Sequence, residues 1–199
     1  MNRKTYFNEA AKTWDERYNT PELTHFLHKL VPSFRIKSGQ RILDLGTGTG
    51  ILIPYLLQAI GPSGEITAID YAEEMVNICK SKFSEHENVK IENQNVEKLT
   101  YSSNYFDAVT CFGSFPHLES KEIALSQIYR VLKKGGKLFI AHAMSSYEIK
   151  ARHKEASTAV VKDMLPDKDS MIKLLNGAGF IDIQIKDEPG YYLCKSKKT

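Results

Sequence analysis

Ile42-Leu43-Asp44-Leu45-Gly46-Thr47-Gly48-Thr49-Gly50 runs from an apolar, strand-like segment, through a glycine at every second position, into the helical pattern of Ile51–Ile60. Glycines at 46, 48 and 50 let the backbone turn sharply and come close to a ligand, where side chains would collide. With a strand before the turn, a helix after it and Asp70 at the end of the next strand-like run, the pattern is that of a doubly wound fold whose acid reaches a ribose.

Outward from this turn, Arg41–Leu45, Glu65–Asp70, Val89–Asn93, Phe106–Phe112 and Lys137–Ala143 read as strands, mostly apolar on both faces, as in a parallel sheet covered on both sides. Ile51–Ile60, Ala72–Phe83 and Lys121–Leu132 have the three-to-four spacing of amphipathic helices, so βα units repeat. After the fifth strand, Ser145 to Lys162 reads as an inserted helical segment, followed by a helix from Lys168 to Asn176 that Gly177 and Gly179 stop. Phe180–Lys186 and Tyr191–Lys195 close the sheet as an antiparallel pair around Pro189-Gly190. Ahead of the sheet, Tyr6–Tyr18 and Glu22–Val31 form an amphipathic helical arm. The predicted fold is α/β, a doubly wound, seven-stranded, mostly parallel sheet in one domain over 1–199: a lid arm (1–35), a cofactor-binding core (36–143), a helical cover (144–166) and a closing helix and strand pair (167–199).

A chain of 199 residues with 42% hydrophobic and 26% charged side chains has the balance of one soluble globular domain. No stretch reaches signal-peptide length or the roughly 18 apolar residues of a membrane span. Three cysteines without C-x-x-C spacing argue against a disulfide framework or thiolate zinc site and point to a reducing cytoplasm. The net charge of +3 is small, and the basic run Lys195–Lys198 reads as a solvated tail; without a basic stripe interleaved with aromatics, no nucleic-acid partner is expected. A monomer or homodimer is expected.

Two nucleotide readings of the turn compete. A nicotinamide site favours G-x-G-x-x-G with pyrophosphate over the helix N-terminus, whereas the spacing here is G-x-G-x-G with Asp44 just ahead. A carboxylate there suits a cationic, amino-acid-like ligand better, and S-adenosylmethionine carries an ammonium and a sulfonium but no phosphate. D-L-G-T-G-T-G at 44–50, I-D-Y at 69–71, N-V-E-K-L at 95–99, Y-F-D-A-V at 105–109 and L-K-K-G-G-K-L at 132–138 occur in that order. On these motifs the chain resembles the class I S-adenosylmethionine-dependent methyltransferases, particularly the small-molecule branch of ubiquinone and menaquinone C-methyltransferases.

The resemblance implies that Gly46, Thr47, Gly48 and Gly50 cradle the methionine and ribose portions of the cofactor, with Asp44 acting through water or the amino group. Asp70 would bind the ribose hydroxyls and Tyr71 lie against the adenine. Asn95, where many relatives have aspartate, would accept from the adenine amino group, beside Val96 and Cys111. The same residues have plainer roles: Asp70 as a helix cap, Tyr71 as packing, Cys111 as a buried strand residue.

On the acceptor side, the segments after the fourth and fifth strands hold His117 and His142, candidate bases because imidazole titrates near neutral pH. A base is optional where the acceptor is already a good nucleophile. Neither D/N-P-P-Y/F nor the P-C dipeptide of nucleic-acid methylases is present, which favours a small-molecule acceptor. His153 in the inserted segment would join His117 and His142 on one rim, so a divalent metal or a metal-bound substrate is a further expectation. Trp14, Tyr18 and Phe115 are expected as lid or substrate wall. The alternatives are an NAD(P)-dependent oxidoreductase, disfavoured by the glycine spacing and the missing Tyr-x-x-x-Lys, and a non-catalytic S-adenosylmethionine-binding regulator.

Overall fold

The computed structural model describes residues 2–155 and 158–199. The arm comprises α1 (Arg3–Ala11), α2 (Trp14–Tyr18) and α3 (Pro21–Ser33). The alternating core follows with β1 (Arg41–Leu45), α4 (Ile53–Ile60), β2 (Glu65–Asp70), α5 (Glu73–Lys82) and β3 (Val89–Asn93). It continues through β4 (Phe106–Phe112), α6 (Lys121–Val131) and β5 (Leu132–His142), and the chain ends with α7 (Ser146–Glu155), α8 (Lys168–Gly177), β6 (Phe180–Glu188) and β7 (Tyr191–Lys198). The seven strands form one sheet in the order β3-β2-β1-β4-β5-β7-β6, with β7 antiparallel to both neighbours.

Strand alternation divides the core in two. Leu43 and Leu45 of β1, Val109 and Cys111 of β4, and Leu138 and Ile140 of β5 pack with α6 and α8. Ile42, Ala108 and Phe139 face the other way, against α3 and α4. Helix starts are set by side chains that accept orphan N–H groups: Thr20 from Leu23, Ser120 from Ile123 and Asp167 from Ser170.

Four expectations need correction. The arm is not one helix over Tyr6–Tyr18, because α1 ends at Ala11 and a new helix starts at Trp14. β5 begins at Leu132 rather than Lys137; a register shift between Phe106 and Ala108 of β4 lets Leu132 pair with Phe106, and Gly135 takes a φ of 74° within the extra length. The inserted helix covers Ser146–Glu155 of the expected Ser145–Lys162, in which 156 and 157 lie outside the described residues. Lys195–Lys198 is no solvated tail but the end of β7: Lys195 donates to the Ser33 carbonyl, and Lys198 donates to the Leu132 carbonyl and to Asn104 Oδ1. All three cysteines are free and buried, and no described helix is long and apolar enough to cross a membrane.

Candidate functional site

The C-terminal ends of β1, β2, β4 and β5 open into a cavity of about 880 Å³ roofed by the arm and α7, where an open α/β sheet places its ligands. The glycine turn forms its floor. Thr47 N–H bonds the Ile69 carbonyl at 3.0 Å, and Ser114 Oγ donates to the Leu45 carbonyl at 2.8 Å, so the turn is clamped to β2 and to the loop after β4. Asp70 accepts from Gly48 N–H and Ala72 N–H, both at 2.9 Å, joining the turn to the start of α5. Burial raises the Asp70 carboxyl while the backbone N–H groups work against that shift.

Gly48 lies on the cavity with φ 57°, and a Cβ added there would meet nothing nearer than Trp14 Nε1 at 3.6 Å. Gly50 differs: its added Cβ would fall 2.5 Å from Phe83 and 2.9 Å from Cys79 Sγ, so it serves the packing of α5 and does not line the cavity. Thr47 and Tyr71 line the cavity, and the Tyr71 hydroxyl is buried with no hydrogen-bond partner among the described residues. Asn95 and Val96 line it as well, but Asn95 Oδ1 already accepts from Glu97 N–H at 2.9 Å and caps a 3₁₀ turn.

Besides Gly50, three residues expected at the ligand are not on the cavity. Asp44 is 1% exposed, faces the sheet interior and accepts from Thr110 Oγ1 at 2.7 Å. Cys111 pairs with Ser114 Oγ at 3.0 Å, burial pushes its thiol up to about 12, and it is a core residue. Phe115, fully buried, belongs to the same core.

Burial pushes the Asp44 carboxyl up from 3.8 to about 6, against the Thr110 bond that lowers it. The folded state therefore keeps a proton that the unfolded chain releases, and this contribution to stability is lost as pH rises from about 4 through about 6. It is on the order of 3 kcal/mol. Asp44→Asn is expected to flatten that part of the stability profile, as urea unfolding at a series of pH values would read; a parallel profile would contradict it.

The arm is docked over the turn. Asp15 accepts from Thr49 Oγ1 at 2.6 Å and pairs with Lys82 at 3.0 Å, and Lys4 pairs with Glu73 at 2.8 Å. Trp14 and Tyr18 line the cavity with ring centroids 4.4 Å apart, and Tyr18 meets the α7 side by accepting from Arg152 at 3.1 Å.

His117, His142 and His153 do converge on this cavity. They do not form the expected metal site, because no group of three His, Cys, Asp or Glu among the described residues could hold an ion. Two of the rings are already engaged: His117 Nδ1 lies 2.8 Å from Asp163 Oδ2, and His153 Nδ1 bonds the Asp163 carbonyl. His142 is 4% exposed, with Nε2 unpartnered among the described residues; burial, then the neighbouring histidines, push it down to about 3, so it stays neutral. Asp163 and Arg3, which sequence reasoning missed, tie this cluster to the arm through Nη2–Oδ1 at 2.6 Å and Nε–Oδ2 at 2.8 Å. They lie 160 positions apart and share no motif, so only the fold joins them.

Residues 42–136 match the family model described as a methyltransferase domain. Over 209 aligned residues the chain is 27% identical to a demethylmenaquinone methyltransferase of Staphylococcus aureus, covering 92% of this chain and 87% of that protein. The fold is similar to that of an S-adenosylmethionine-dependent methyltransferase from Aquifex aeolicus, with a TM-score of 0.73 at 24% identity and 96% of each chain covered. It is also similar to a phosphoethanolamine N-methyltransferase from Haemonchus contortus solved with S-adenosyl-L-methionine, at a TM-score of 0.73 and 16% identity, covering 87% of this chain and 52% of that one.

Proposed function

We propose that this class I S-adenosylmethionine-dependent methyltransferase, with its methyltransferase domain at residues 42–136, methylates a flat, hydroxylated aromatic small molecule of the hydroquinone type. The observation that carries the reading is one cavity whose lining combines the glycine turn and Asp70 with the apolar side chains of Leu23, Phe26, Phe112, Met144 and Ile149 and with the three histidines. A large, mainly apolar acceptor with one or two oxygens suits such a wall, and the S. aureus relative's name specifies a quinone acceptor for that protein.

The residues fit the cofactor. Gly48 leaves space over the turn, the Tyr71 hydroxyl, unpartnered among the described residues, is available as a polar contact, and the carboxylates of Asp44 and Asp70 beside the turn disfavour pyrophosphate. When bound, the cofactor supplies an activated methyl group on a sulfonium. Asp70 would hold the ribose and Tyr71 would cover the adenine, and the docked arm with α7 would exclude water and align the acceptor, which carry much of the rate in an in-line transfer. The arm over 1–35 and the cover over 144–166 act as lids on the 36–143 core, with 167–199 closing the sheet.

The test is an anaerobic incubation of the purified protein with S-adenosylmethionine and a demethylated naphthoquinol, read by mass spectrometry. One added methyl per acceptor and an equal amount of demethylated cofactor are expected. Transfer to phosphoethanolamine but to no quinol would overturn the acceptor class.

A further inference from the structure

We propose that Asp163 is the positioning residue for His117, holding its imidazole in the tautomer whose Nε2 takes a proton from the acceptor hydroxyl. This rests on the reading above that the acceptor carries a hydroxyl. Asp163 is 1% exposed at its side chain yet carries three polar attachments: His117 and Arg3 on its carboxylate and His153 on its carbonyl. Burial acts to raise its carboxyl, but the His117 and Arg3 bonds outweigh it, so the group is held below the ordinary carboxylate value and stays ionised.

An ionised carboxylate only accepts hydrogen bonds, so the 2.8 Å contact requires His117 to donate its Nδ1–H. A neutral imidazole so bonded has its lone pair on Nε2. That nitrogen has no hydrogen bond among the described residues, and the ring lines the cavity under Phe7, whose centroid is 5.0 Å away. Burial holds His117 below the ordinary histidine value, against the pull of Asp163, which keeps it neutral and ready to accept. His117 follows β4 in the loop whose Ser114 clamps the glycine turn, so it stands beside the donor end of the cavity.

In the step, the acceptor O–H bond breaks with its electron pair left on oxygen, and an N–H bond forms at Nε2. Asp163 offsets the imidazolium charge until the proton passes to water. The other groups facing His117 are Arg3 and His153, with His142, Tyr71, Glu119 and Lys121 around them. Arg3 and His153 oppose protonation of His117, and Asp163 favours it.

The experiment is nitrogen-resolved NMR of the His117 ring across pH in the cofactor-product complex, together with kcat and KM for the naphthoquinol. The wild type should show the Nδ1–H tautomer. Asp163→Asn should move the His117 midpoint to lower pH and cut kcat about tenfold with little change in KM, while Asp163→Glu restores both. Arg3→Gln should move the midpoint the opposite way. Simple loosening of the site would expose the ring and raise the midpoint in Asp163→Asn, so the downward shift separates positioning from damage. An Nε2–H tautomer in the wild type, or an unmoved midpoint with unchanged kcat in Asp163→Asn, overturns the proposal. If the wild type methylates no quinol, the acceptor class fails, and the tautomer and midpoints still decide the role of Asp163.

Discussion

Gly48→Val is expected to weaken cofactor binding at least ~100-fold in a folded protein, whereas Gly50→Val is expected to destabilise the fold itself, by about 2–5 kcal/mol. Both glycines have positive φ, 57° and 89°, so a β-branched residue is strained at either by about 1–2 kcal/mol. What separates them is the space in front of each Cα. At Gly50 the new Cβ would overlap Phe83 and Cys79, which pack with the α4 side of the core, and overpacking there adds about 1–3 kcal/mol. At Gly48 the nearest atoms are at ordinary contact distance, so the chain accommodates the side chain, which then occupies the floor of the cavity. Calorimetric titration with S-adenosylmethionine should show at least a ~100-fold loss for Gly48→Val, about 2.7 kcal/mol, with a smaller loss for Gly48→Ala. Wild-type affinity in Gly48→Val would remove the turn from the cofactor site.

The sheet was legible because its signals are local. Five apolar runs alternate with amphipathic helices, and a turn at Pro189-Gly190 makes the last pair antiparallel, so order and polarity follow from short-range patterns. Misreadings arose where a distant partner decides. Lys133-Lys134-Gly135-Gly136 has the composition of a loop, yet the register shift of β4 draws it into β5. Lys198 looks like a tail until the Leu132 carbonyl and Asn104 are found opposite it. In the site, Asp44, Gly50 and Cys111 belong to the right motifs, but strand alternation and the packing of α5 turn them away from the cavity. The convergence of the three histidines was legible from their positions at strand ends and in the cover; the occupation of two of them by Asp163 was not.

Asp70→Ala is expected to weaken binding of S-adenosylmethionine by about 1.5–3 kcal/mol, roughly 10- to 150-fold, through loss of charge-assisted hydrogen bonds to the ribose. The same side chain has a structural task, since its two oxygens accept from Gly48 N–H and Ala72 N–H and its removal leaves both donors unpaired beside the turn. The two roles can be separated because each carboxylate oxygen has a second lone pair for a ligand while the first serves the backbone. Asp70→Asn offers only one oxygen to two N–H groups, so it should fall between wild type and alanine in stability, yet close to alanine in affinity because the charge is gone. Calorimetry below the unfolding transition, with circular dichroism to establish that each variant is folded, reads the two effects independently. Unchanged affinity in a folded Asp70→Ala variant would reduce Asp70 to a staple between the glycine turn and α5, and the ribose contact would have to come from another residue of the cavity.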